Sequence, residues 1–220
     1  MRIGLFGGTF DPIHWGHLRS AEEVCEKLAL DRVLFVPTSI PPHKERQKTA
    51  PARDRLEMVR LAVAKNPRFA VSTVEIRRPG PSYSIDTLRH FARQNKGRDS
   101  YFFILGIDAF RDIGSWKDFR QLFSFCHFVV TSRPGSTDSN PLRNAPVAVR
   151  NLFCYDFNEK NYRHRSGTYL YFVKLTDIAI SASKIRKRVR AGKSIRYLVP
   201  LEVEAYINKR GLYRYREEER

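Results

Sequence analysis

Residues 7–18 read GGTFDPIHWGHL, and the way this stretch joins its neighbours decides the fold. Residues 2–6 (RIGLF) form a short apolar run suited to a buried strand, and Gly7-Gly8 stops it. Beyond it, Leu18, Ala21, Val24, Cys25 and Leu28 recur at helical spacing, with charges on the opposite face. A strand therefore hands over to a helix through a glycine-rich turn. Gly7 and Gly8 let the backbone approach a ligand with no side chain in the way. His14 and His17 stand three apart at the helix start, near its positive end, where anions collect. Two imidazoles over a helix N-terminus suit polyphosphate. Zinc is the weaker reading, because H-E-x-x-H is absent and no third ligand stands nearby.

The same alternation continues outward. Strands are expected at 32–36, 69–74, 101–105, 128–131, 169–173 and 177–180, and helices near 56–63, 85–94, 119–123, 183–190 and 201–209. Residues 38–51, with three prolines, read as loop, whereas 134–168 are rich in Pro, Ser and Asn and show no clear period. Strands alternating with helices imply an α/β fold of Rossmann-like, doubly wound type. Its sheet is mainly parallel, with helices on both faces and a helical C-terminal end. Such sheets bind ligands at the carboxyl ends of their strands, near the point where strand order reverses. The chain reads as one domain over 1–220, in which 136–168 is a variable segment and 181–210 a basic helical part.

Composition narrows the function. The 220 residues carry 40 Lys+Arg against 23 Asp+Glu, a formal charge of +17, while 42% hydrophobic residues exclude a disordered chain. No apolar run reaches the roughly 20 residues of a membrane span; the one from Tyr101 ends at Asp108. Asp11 interrupts the first apolar stretch, so no signal peptide is expected. Cys25, Cys126 and Cys154 are far apart, which excludes a disulfide framework and a thiolate zinc site and points to a reducing, cytoplasmic setting. The basic excess is local: residues 181–196 hold seven cations and no acid. That suits nucleic acid, a membrane surface or a nucleotide, but no helix-turn-helix, zinc-finger or RNA-binding fingerprint is present. G-x-G-x-x-G is also absent, and Gly192-Lys193-Ser194 lacks the first P-loop glycine, Lys187 standing in its place.

GGTFDPIHWGH resembles the H-x-G-H signature of the nucleotidyltransferase superfamily. Its second signature, I-S-S-T-x-I-R, is matched by ISASKIR at residues 180–186. Further segments are similar to the bacterial nicotinate-nucleotide adenylyltransferases: PPHK (41–44), RPGPSYSIDTL (78–88), GIDAF (106–110), Trp116, SRPG (132–135) and LVP…V..YI (198–207). The resemblance spans most of the chain apart from about residues 136–168. It implies adenylyl transfer from ATP to nicotinate mononucleotide, giving nicotinate adenine dinucleotide and pyrophosphate in NAD biosynthesis. An acceptor phosphate is already anionic at pH 7, so such an enzyme needs no general base, only positioning and charge stabilisation. Mg²⁺ would be the cofactor, carried by the ATP phosphates and not by protein ligands.

Residue by residue, the resemblance places Gly7, Gly8, Thr9 and Phe10 around ATP, with His14 and His17 on its phosphates. His17 would meet the α-phosphate, and Lys44 would reach in as a mobile cation. Ser183 and Arg186 would hold the β- and γ-phosphates; His14, His17, Lys44 and Arg186 form the implied catalytic set. Gly106 and Asp108 follow a strand end, where Asp108 would receive ribose hydroxyls or, equally, cap a helix. Tyr83 and Ser84 would offer backbone N–H groups to the nicotinate carboxylate, Trp116 would stack on the pyridine ring, and Arg133 would face a phosphate. The chain departs from the pattern at Ala182 and Ser183 in the second signature and at Ser84. Open alternatives are nicotinamide mononucleotide or another phosphate acceptor such as phosphopantetheine, whose branch resembles T-x-G-H, and a basic nucleic-acid-binding module.

Overall fold

The computed structural model describes residues 1–42, 49–95, 97–132 and 141–214. The first half runs β1 (Arg2–Gly8), α1 (Trp15–Lys27), β2 (Arg32–Pro37), α2 (Ala52–Val63), β3 (Phe69–Val71), α3 (Val74–Arg77), α4 (Ser84–Asn95) and β4 (Ser100–Gly106). Then come α5 (Ile107–Arg111), α6 (Phe119–Leu122), β5 (His127–Thr131), α7 (Val147–Arg150), β6 (Phe153–Asp156) and β7 (Asn161–His164). Strand β8 (Tyr169–Val173) and helices α8 (Ala182–Arg190) and α9 (Leu201–Lys209) follow.

The strands form one sheet in the order β3-β2-β1-β4-β5-β8-β7-β6. Strands β1 to β5 and β8 are parallel, and β7 runs antiparallel to both β6 and β8. This is the doubly wound arrangement expected, with the order reversing between β1 and β4. The period-2 alternation of the strands sorts their side chains onto two cores. Phe102 and Ile104 face the side packed by α1, α2, α8 and α9; Phe103 and Leu105 face the side packed by α4 to α7. Both faces are covered, which is why these strands read as continuous apolar runs.

Three expectations change. The strand expected at 69–74 stops at Val71, and Val74 opens the short helix α3. Residues 177–180 form no strand, although Ile180 packs against the core. The unreadable 134–168 stretch holds, among its described residues, the β6–β7 hairpin that extends the sheet. Tyr155 and Cys154 on β6 are exposed, so that edge never shows a buried strand's pattern.

Candidate active site

The turn after β1 and the start of α1 build one end of a cleft over the reversal point. Gly8 is required by a close approach, since a Cβ there would stand 2.9 Å from the Phe10 ring. Phe10 itself has φ 48°, a left-handed conformation that costs a non-glycine residue of order 1–3 kcal/mol. Its buried ring, packed on Phe6, Phe35 and His17, holds it there. Gly16 leaves room for the His14 ring, which a Cβ would meet at 3.1 Å. The two imidazoles therefore stack, with centroids 3.7 Å apart and planes inclined by 22°.

The His14 backbone N–H donates to His17 Nδ1 at 3.3 Å. A ring nitrogen that accepts cannot carry the proton, so neutral His17 is the Nε2–H tautomer. Burial holds the His14 pKa down at about 4, and burial together with His14 pushes that of His17 well below its ordinary value. Both rings are neutral at pH 7. His17 thus faces the cavity as a neutral donor, not as a cation.

That cavity, about 130 Å³, is lined by Thr9, Phe10, Asp11, His17, Thr49, Ala182 and Arg186. Its cation is held in place. Arg186 Nη1 donates to the Asp11 carbonyl at 2.7 Å and lies 3.6 Å from Asp11 Oδ2. Asp11 Oδ1 in turn accepts from the Ala50 N–H (3.1 Å) and the Tyr213 hydroxyl (2.8 Å). Beneath them Arg55, 1% exposed, donates to the carbonyls of Thr9, Thr38, Ser39 and Ala50 and so ties the ends of β1 and β2 to α2. Helix α8 begins at the same place, and Ser181 Oγ accepts the Lys184 N–H at 3.3 Å as its cap.

A second cavity, about 300 Å³, lies across the carboxyl ends of β1 and β4. Thr9 lines both cavities. Trp116 meets Phe103 edge-on at 6.4 Å and forms part of the wall. The Tyr83 carbonyl accepts the Asp86 and Thr87 N–H groups that open α4. Lys117 Nζ sits 4.6 Å from the centre of the Tyr83 ring and 3.8 Å from Asp86.

The expected site residues divide accordingly. Gly7, Gly8, Thr9, Tyr83, Ser84, Gly106 and Trp116 line the larger cavity, and Thr9, Phe10, His17 and Arg186 the smaller. His14 lines neither of these two, and its ring stacks on that of His17. Asp108 does not cap α5, because Gly106 holds that position; its carboxylate lies 3.8 Å from Arg111. Ser183 is exposed, its hydroxyl 3.3 Å from that of Ser181. The Tyr83 N–H is turned to the Pro81 carbonyl at 3.1 Å, so in this conformation it is not free for a ligand. The Ser84 N–H opens α4 with no acceptor among the described residues. Lys44 and Arg133 lie outside the described residues. Sequence reasoning passed over Asp11, Arg55, Glu75 and Tyr213; Asp11 stood within the quoted motif, but nothing in a linear reading showed that it is buried.

A family model described as cytidylyltransferase-like matches residues 5–188. A protein of Syntrophotalea carbinolica named "Probable nicotinate-nucleotide adenylyltransferase" is 50% identical over 217 residues, covering 99% of either chain. One of the same name from Geobacter sulfurreducens is 49% identical over 213 residues, 97% of this chain and 98% of its own. The solved structure of Plasmodium falciparum nicotinic acid mononucleotide adenylyltransferase complexed with NaAD shares the fold, at TM-score 0.73 and 17% identity. It covers 96% of this chain and 97% of that one.

Proposed function

The chain belongs to the nicotinate-nucleotide adenylyltransferase family, and from that premise we propose how its own groups perform the transfer. The reaction joins the phosphate of nicotinate mononucleotide to the α-phosphorus of ATP, giving nicotinate adenine dinucleotide and releasing pyrophosphate. The observation that carries the reading is the neighbouring pair of cavities, an aromatic-walled one and a cation-bearing one, both lined by Thr9.

Nicotinate mononucleotide occupies the larger cavity, with its ring against Trp116 and its carboxylate toward the Ser84 N–H. The ATP phosphates occupy the smaller. His17 Nε2–H donates to an α-phosphate oxygen, where charge builds as the bond to pyrophosphate breaks. A neutral donor already aimed at that oxygen needs no reorganisation during the step. Arg186, fixed by Asp11, and the start of α8 hold the β- and γ-phosphates. No proton has to leave the attacking phosphate, which is consistent with a cleft whose imidazoles are held neutral and not poised as bases.

Among the described residues no group of three His, Cys, Asp or Glu side chains is arranged to hold a metal ion. Asp11, the carboxylate in the phosphate cavity, is engaged by Arg186, Tyr213 and Ala50. Mg²⁺ would be carried by phosphate oxygens and water and would neutralise charge on the leaving group. A single domain over 1–220 and a cytoplasmic setting complete the proposal; no described helix is long and apolar enough to cross a membrane.

The test is an end-point assay with ATP, Mg²⁺ and, in separate tubes, nicotinate mononucleotide, nicotinamide mononucleotide or phosphopantetheine. Product chiefly from the nicotinate tube is expected. Product chiefly from another tube would overturn the acceptor assignment.

A further inference from the structure

Four acids are buried among the described residues, and three are accounted for. Asp11 holds Arg186 and Tyr213, Asp54 receives Tyr206 and Arg210, and Glu23 receives Arg19 and the Thr176 N–H. Glu75 differs. It is 5% exposed, and its Oε1 accepts the Thr87 hydroxyl at 2.6 Å, while its Oε2 is buried with no partner. A buried polar atom left unpaired is destabilising and calls for a physical reason. Glu75 lines the acceptor cavity together with Ser82, Tyr83, Ser84 and Trp116.

We propose that Glu75 is the specificity-determining group of the acceptor pocket: as a neutral acid, its Oε2–H donates a hydrogen bond to the carboxylate of the pyridine ring. The inference rests on the acceptor assignment made above. Geometry and electrostatics both favour it. Two ionised carboxylates inside a cavity of about 300 Å³ would repel, whereas an acid and a carboxylate share one proton. Burial raises the Glu75 pKa, opposed by the Thr87 and Ser82 hydroxyls and the Arg78 charge. Arg78 reaches the network from the residue after α3, donating to Thr87 Oγ1 at 3.0 Å. Lys117, which lines this cavity, stands over the Tyr83 ring and beside Asp86. An arriving carboxylate raises the Glu75 pKa further, so the acceptor brings its own proton requirement. A carboxamide acceptor carries no charge and does not need that proton.

Discrimination should therefore depend on pH. The experiment measures Kd by calorimetry, and KM by turnover, for nicotinate and nicotinamide mononucleotides between pH 6 and 9. Both acceptors carry the same phosphate, so titration there cancels in the ratio. In the wild-type protein the nicotinate preference should fall with rising pH, by up to about tenfold per unit once Glu75 ionises. Glu75→Gln keeps a donor of the same shape and should keep the preference while flattening its pH dependence. Thr87→Val removes the bond to Oε1 that favours the anion and should move the break to higher pH, which separates a titrating group from a merely structural one. A flat wild-type ratio, or an unchanged slope in Glu75→Gln, would overturn this inference alone. Absence of turnover with either acceptor would overturn the acceptor assignment and this inference with it.

Discussion

At the phosphate end of the cleft, Arg186, Asp11, Tyr213 and Arg55 are joined by hydrogen bonds and ion pairs that reach from residue 9 to residue 213. At the acceptor end, Trp116, Phe103 and Tyr83 present apolar walls, and a single acid is left with an unpaired oxygen. The first end is cross-linked before any ligand arrives, with Asp11 Oδ2 lacking a hydrogen bond but 3.6 Å from Arg186; at the second, the proposed ligand supplies the partner that Glu75 Oε2 lacks. The difference follows from the chemistry assigned to each. Phosphate charge is best met by groups that need not move, because fixed donors cost no reorganisation when charge develops. Choosing between a carboxylate and a carboxamide is a difference of affinities, and a polar group left unpaired by the wrong ligand produces it.

The largest effect should come from breaking the scaffold of the phosphate end. Arg55→Met would strand four carbonyls and remove a second cation near Asp11, leaving Arg186 beside it. A loss of about 3–5 kcal/mol in urea unfolding is expected. A loss below about 1 kcal/mol would show that the network is not what holds this end. His17→Ala comes next. Removing one pre-aimed donor should lower kcat by about 10²–10³, with the fold intact by circular dichroism and the nicotinate KM little changed. A rise in KM at constant kcat would instead assign His17 to ground-state binding.

The neutral imidazoles give a third test. His14 has a folded pKa of about 4 against an ordinary 6.5, so protonation favours the unfolded chain. Its stabilising contribution is complete above about pH 6.5 and is lost as pH falls toward 4, to a total of up to about 3 kcal/mol. Urea midpoints at pH 7.5, 5.5 and 4.5 should fall in that order, and the fall should shrink in His14→Gln. A midpoint that rises on acidification would mean that His14 is charged in the folded protein.

The same contrast explains what the sequence could disclose. The strand, turn and helix of residues 2–28 are contiguous, so their apolar periods and glycines announce them, and His17 and Arg186 sit in recognisable signatures. Asp11, Arg55, Glu75 and Tyr213 act through burial and through partners up to 202 residues away, and no local pattern carries either. Ile178, Ala179 and Ile180 make a short apolar run as a buried strand would, yet residues 177–180 form none, and Thr176 just before them is bound to Glu23. The β6–β7 hairpin fails in the opposite sense: Asp156 on the edge strand β6 and Asn161 and Arg163 on β7 are polar strand residues and read as loop.

The smallest effect should come from the acceptor wall. Trp116 is half-buried, and its edge-on contact with Phe103 leaves a ring bordering the cavity. Aromatic pairing adds about 0.5–1.5 kcal/mol beyond the area it covers, so Trp116→Ala should raise the nicotinate mononucleotide KM about 2- to 10-fold. Because the wall is not part of the Arg55–Asp11 network, the KM for ATP should scarcely move. Trp116→Phe keeps a flat ring and should recover most of the loss for both pyridine acceptors equally, since stacking does not distinguish carboxylate from carboxamide. If Trp116→Ala instead lowered kcat as His17→Ala does, the two ends would be one coupled machine. The division between a cross-linked phosphate site and a ligand-completed acceptor site would then fail.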